Sequence, residues 1–188
     1  QGSQAMSGTI SAGAGWTLGL QPGSSNYDLN GYAGPQRLSD VARYTVGSDF
    51  TLPTDIWTND SDTTLLIQNG TDGTQTFDDL STPDHTITAN GDVRWFAPKV
   101  GAGAMRFDGS GDYLYVSTGQ DFRSGSWTAE CWFKTNATGT VSQTVMAGDT
   151  DGYWGLIYNY DSNSKILLGL GDGYDWTISF QAGTKTSW

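Results

Sequence analysis

Glutamate is almost missing from this chain. Of its 20 acidic side chains 19 are Asp, and only Glu130 is Glu. Asp favours turns and Glu favours helices, so the skew points away from helical structure before any pattern is read. No stretch carries a helical repeat of apolar positions over eleven residues. Cations are scarce too: 9 Lys and Arg against 20 acids leave a net charge of −11. So few scattered bases make no stripe to neutralise phosphates, and no nucleic-acid partner is expected. An anionic membrane surface is excluded on the same ground. The longest apolar runs, Thr64–Ile67 and Ile166–Leu170, are strand-sized, against the ~20 residues a membrane helix needs, so no membrane insertion is expected. A single cysteine, Cys131, permits no intrachain disulfide. Flanked by Glu130 and Trp132, it reads as a buried, inert thiol. The chain opens on Gln1 and stops at Trp188, which suggests a processed or excised piece of a longer protein.

What is present is strand and turn chemistry. There are 26 Gly, abundant Thr and Ser, and 13% aromatics. Short strand-like runs recur between Asp, Asn and Gly turns. They fall at 64–68, 85–89, 93–96, 104–107, 113–116, 127–134, 143–147, 154–160, 166–170 and 176–180. Alternation over Trp127–Lys134 puts Trp127, Ala129, Cys131 and Phe133 on one face, read as core, and Thr128, Glu130, Trp132 and Lys134 on the other. Residues 121–123 read as a short helical turn. Residues 53–61 are polar, contain a proline and lack alternation, which reads as a linker or strap. The expected fold class is all-β: a sandwich, barrel or jelly roll.

Two segments carry a family resemblance. Met105-Arg-Phe-Asp-Gly-Ser-Gly-Asp-Tyr-Leu-Tyr-Val116, followed by Ser126-Trp-Thr-Ala-Glu-Cys-Trp-Phe-Lys134, resembles the laminin-G-like, concanavalin A-like jelly-roll domain. Upstream, 62–73, 77–81 and 85–91 are similar to the opening of the versions found in bacteriophage virion and tail-associated proteins. The resemblance implies an antiparallel two-sheet jelly-roll sandwich and covers about residues 62–180. Residues 29–32 and 37–44 resemble the family's closing strands, which normally come last. Residues 1–52 therefore read as the end of one repeat, and 62–188 as the opening and middle of the next. Alternatively the two pieces complete one sandwich, and 1–52 is expected to pair with its own chain or a neighbour. The family's closing strand has an acidic pair where this chain has Gly34-Pro35.

Candidate sites follow. Glucanase relatives use two glutamates on one strand; one glutamate cannot supply that pair. His85 opens a strand after a Pro-Asp turn, a poor place for a triad base. No enzymatic activity is expected. Asp108-Gly-Ser-Gly-Asp112 offers hard oxygen ligands suited to calcium, a possible cofactor, without EF-hand spacing. Asp149/Asp151 and Asp172/Asp175 are similar turns. For sugar binding, aromatic rings would stack on pyranose faces while polar groups hold hydroxyls. The candidates are Glu130, Trp132, Tyr153, Trp154 and Tyr158, with Tyr160, Tyr174 and Trp176 nearby. Trp16, Trp127 and Phe133 are expected in the core. The resulting expectation is a non-catalytic adhesion or glycan-binding module of a repetitive virion-surface or extracellular protein. Its partners would be cell-surface glycans and further copies of itself. The competing expectation is a spacer or assembly domain of a fibre or capsid.

Overall fold

The computed structural model describes residues 15–23, 27–45, 55–97, 103–117, 125–136, 141–148, 154–158, 166–171 and 176–182; at 154, 168–171 and 176–182 only the backbone is described. Among these residues every regular element is a strand. In chain order they are β1 (Trp16–Leu18), β2 (Asn30–Ser39), β3 (Thr63–Gly70), β4 (Phe77–Asp79), β5 (Ile87–Asn90), β6 (Arg94–Phe96) and β7 (Ala104–Asp108). There follow β8 (Tyr113–Val116), β9 (Thr128–Thr135), β10 (Gln143–Gly148), β11 (Trp154–Tyr158), β12 (Ile166–Gly171) and β13 (Trp176–Ala182).

The strands form two antiparallel sheets packed face to face. One runs β13-β12-β11-β10-β1-β8-β5; the other runs β4-β3-β2-β7-β6, with β9 added on β2. The chain crosses between sheets at β1–β2, β4–β5, β5–β6, β7–β8, β8–β9 and β9–β10, the winding of a jelly roll. The expected all-β sandwich is therefore the observed architecture.

Strand β2 organises the second sheet. From Gly31 to Ser39 it pairs with β9, interrupted by one irregularity between Ala33 and Gln36. Residues 30–33 pair with β7 and 36–39 with β3, so those two strands share its opposite edge end to end. The short β1 sits between β8 and β10. Both N-terminal strands thus pair within their own chain and bridge segments far away in sequence.

The core follows from period-two alternation. Trp16, Leu18, Leu38, Leu65, Ile67, Met105, Phe107, Leu114, Val116 and Met146 are almost wholly buried between the sheets. Each large apolar side chain so buried contributes roughly 1.5–3 kcal/mol. Phe77 and Trp95 meet edge to face at 6.4 Å. The anticipated inward set of β9, Trp127, Ala129, Cys131 and Phe133, packs against this core while remaining half-buried.

Three details depart from the sequence expectation. Phe77–Asp79 is a strand, paired with β3. The strand expected from His85 begins at Ile87, because the His85 backbone N–H and ring are turned onto Asp79. The described part of the strap, residues 55–61, is tied down. The Trp57 ring lies beneath the Arg37 guanidinium at 5.0 Å, its carbonyl accepts from Gln68, and Asp60 takes a two-pronged bond from Arg43. The turn at 121–123 lies outside the described residues.

Candidate functional site

The outer face of β2 and β9 carries two of the site candidates, Glu130 and Trp132. Tyr32 lies opposite Lys134 and Arg37 opposite Glu130, with a bulge in β2 between Ala33 and Gln36. That bulge is Gly34-Pro35, and it lies against Trp132. Proline, lacking an N–H, is tolerated at such an irregularity. A β-carbon on Gly34 would stand 3.2 Å from the Trp132 Cβ. Glycine at 34 therefore has a local consequence: it leaves room for the Trp132 β-carbon.

Trp132 is half-buried and borders two depressions. One, of about 350 Å³, wraps the edge of β9 that faces away from β2: Tyr44, Trp57 and Glu130 line it with the inward Ala129, Cys131 and Phe133 and with Leu156 and Ile166 of the facing sheet. The other, of about 390 Å³, is shallower and lined by Tyr32, Gly34, Ala104 and Lys134. An indole wall, a tyrosine, a small-residue floor and an ammonium suit a flat ring bearing polar substituents.

Glu130 is not free to hold a ligand. The Arg37 Nε and Nη2 donate to its Oε2 at 2.7 and 2.6 Å, and the Tyr44 hydroxyl donates to its Oε1. Both members of the ion pair are about nine-tenths buried. Burial first, and then the bond to Glu130, push the Tyr44 hydroxyl above its usual range. Next along the strand, burial and the Glu130 charge push the Cys131 thiol up to about 12, so it is protonated and unreactive at neutral pH.

Of the remaining ring candidates, Tyr158 is only 8% exposed and packs against Phe133 at 5.9 Å. Its place is the interior. Trp154 opens β11 with only its backbone described, and Tyr153, Tyr160 and Tyr174 lie outside the described residues; the backbone of Trp176 opens β13.

The calcium candidates come together with a third carboxylate that sequence reasoning missed. Asp92, Asp108 and Asp112 place one oxygen each within 4.8 Å of the others. Asp92 belongs to the Asn-Gly-Asp turn before β6, a position that only the pairing of β5 with β8 brings to the loop. Asp112 is buried, and its oxygens accept the backbone N–H groups of Asp92 and Asp108 at 2.6 and 2.9 Å. Burial pushes its carboxyl up, the Asp108 and Asp92 charges add to that, and the two N–H bonds oppose it. Three hard oxygen donors, one of them a buried carboxylate pressed by the charges of the other two, fit a divalent cation such as calcium. Asp149, Asp151, Asp172 and Asp175 lie outside the described residues.

Ser81, Asp79 and His85 meet at the rim of β4, but in an order that makes no triad. Ser81 Oγ and His85 Nδ1 both bond the Asp79 Oδ2, at 2.8 and 2.7 Å. Asp79 also accepts the N–H groups of Leu66, Ser81 and His85. The serine has no base, because the aspartate stands between it and the imidazole. This carboxylate ties a loop together.

The fold and site define a two-sheet antiparallel β-sandwich with an aromatic trough on the outer face of one sheet. No known family, curated protein or solved structure matches the chain.

Proposed function

We propose that this chain is a non-catalytic adhesion module that binds glycans on the outer face of β2 and β9. The observation that carries the reading is Trp132, half-buried between two depressions, with Tyr32 and Lys134 beside it. A sugar laid on the indole would bury its C–H face there and offer its hydroxyls to the flanking polar groups. The resemblance of 62–180 to laminin-G-like domains supports the same reading, and on it the module would belong to a repetitive protein on a virion surface or outside a cell. Such sites are weak singly and strengthen through copy number.

The test is a glycan array probed with the wild-type chain and with Trp132→Ala, alongside thermal melts of both. Binding by the wild type, lost in the variant at an unchanged melting temperature, supports the proposal. Equal binding by both removes Trp132 from it. A second reading, a spacer or assembly domain, is favoured by β9, whose second edge pairs with no strand among the described residues. Concentration-dependent oligomers without glycan binding would support that instead.

A further inference from the structure

Few as the cations are, the fold aligns three of them. On the second sheet Arg94 pairs with Arg106, Arg106 with Tyr32, and Tyr32 with Lys134. These four residues form one straight row across β6, β7, β2 and β9. Alternation turns Arg94, Arg106 and Lys134 outward, and all three are exposed. Three of the protein's nine bases therefore stand side by side in a chain of net charge −11. No carboxylate forms an ion pair with any of them among the described residues. The one bond recorded for the row's charged groups runs from Arg94 Nη1 to the Gly73 carbonyl. Arg106 and Lys134 are exposed and make no side-chain bond among the described residues.

The neighbouring row on the same face is apolar. Phe96, 39% exposed, lies opposite Ala104, and Ala104, Gly34 and Trp132 continue it as one depression. The result is a trough with an aromatic residue at each end, small residues on its floor and a cationic ledge along its side. Four strands spaced about 4.8 Å apart make the ledge roughly 14 Å long, the reach of a short oligosaccharide rather than of one sugar.

We infer that this trough selects acidic polysaccharides, of the uronic-acid class, over neutral ones; the inference rests on the glycan-binding reading proposed above. Pyranose faces stack on Trp132 and Phe96. Sugar carboxylates meet the Arg94 and Arg106 guanidiniums, whose planar forks suit carboxylate geometry, and the Lys134 ammonium. Charge complementarity favours this occupant over nucleic acid. The ledge is short, and the strongly acidic remainder of the protein repels a polyanion carrying a phosphate at every nucleotide. Asp92 and Asp108 stand one row further along the same face, so a bound chain is confined to the side of the ledge that carries Trp132.

The test measures affinity for polygalacturonate, neutral dextran and a thymidine oligonucleotide, using the wild type, Arg106→Ala and Lys134→Ala. Both substitutions are at exposed positions, and melts confirm that each variant is folded. The wild type is expected to prefer polygalacturonate, the preference to shrink as salt rises, and the acidic-to-neutral affinity ratio to fall about tenfold in each variant. Equal affinity for dextran and polygalacturonate, unmoved by either substitution, overturns the inference while leaving the glycan reading standing. Binding to no polysaccharide overturns both. Oligonucleotide binding as tight as polygalacturonate binding, lost in the same variants, shows a surface that reads charge alone and overturns the sugar class.

Discussion

Arg37 and Glu130 face each other across β2 and β9, joined by two bonds of 2.7 and 2.6 Å to a single carboxylate oxygen. The only glutamate in the chain thus fastens an N-terminal strand to one almost a hundred residues later. Its position beside Trp132 gives it the look of a sugar ligand in the sequence; its partners make it a clamp. Removing one member of a buried pair strands the other charge, so Glu130→Ala is expected to cost about 3 kcal/mol. Chemical denaturation measures this. The double variant Arg37→Met/Glu130→Leu is expected to lose far less than the sum of the single changes.

Asp79 makes the fold acid-sensitive. Burial raises its carboxyl pKa, but the N–H bonds from Leu66, His85 and Ser81 outweigh that, and the net shift is downward. A depressed carboxyl stabilises the fold fully above its unfolded value, about 3.9. That contribution is lost as pH falls through the lower folded value. Wild-type stability is expected to drop below about pH 4, and Asp79→Asn to flatten this drop while lowering stability at neutral pH. Parallel pH dependences for the two proteins would assign the acid response to other groups.

Asp112 has the opposite sign. Its carboxyl is pushed up, so its ionisation costs stability as pH rises through the unfolded and then the folded value. A cation among Asp92, Asp108 and Asp112 offsets that cost. Calcium is expected to raise the melting temperature at neutral pH, and Asp108→Asn to remove the increment. Identical melts in calcium and in chelator would leave the three carboxylates as turn-makers only.

Gly31 has no room for a side chain. A β-carbon there would lie 2.1 Å from the Lys134 carbonyl oxygen, so Gly31→Ala must push β9 away from β2. The expected loss is about 1–3 kcal/mol, read by thermal unfolding.

Cys131, with its thiol held near 12, is expected to resist alkylation at mildly alkaline pH in the native protein and to react at once in denaturant. Rapid native labelling would show a thiolate that the surrounding burial does not permit.

Much of the sandwich is legible in the sequence because alternation is a local property. The inward set of β9, with Ala129, Cys131 and Phe133, can be read from eight consecutive residues, and the Asp-Gly turns mark where neighbouring strands stop. Pairing is not local. Nothing around Arg37 announces Glu130, and Arg94, Arg106 and Lys134 look scattered along the chain until β6, β7, β2 and β9 are laid side by side. The same holds for Asp92, whose carboxylate joins Asp108 and Asp112 only through strand pairing. Tyr158 shows the converse. In the sequence it stands with Asn159 and Tyr160 as a candidate ring for a sugar, while β11 turns it inward against Phe133.

Fluorotryptophan NMR addresses the binding face most directly. The Trp132 resonance is assigned by its loss in Trp132→Phe, and that of Trp16 in the same way. The account predicts that titration with polygalacturonate shifts the Trp132 signal and leaves that of Trp16, sealed between the sheets, in place. An unmoved Trp132 signal under saturating ligand would contradict it.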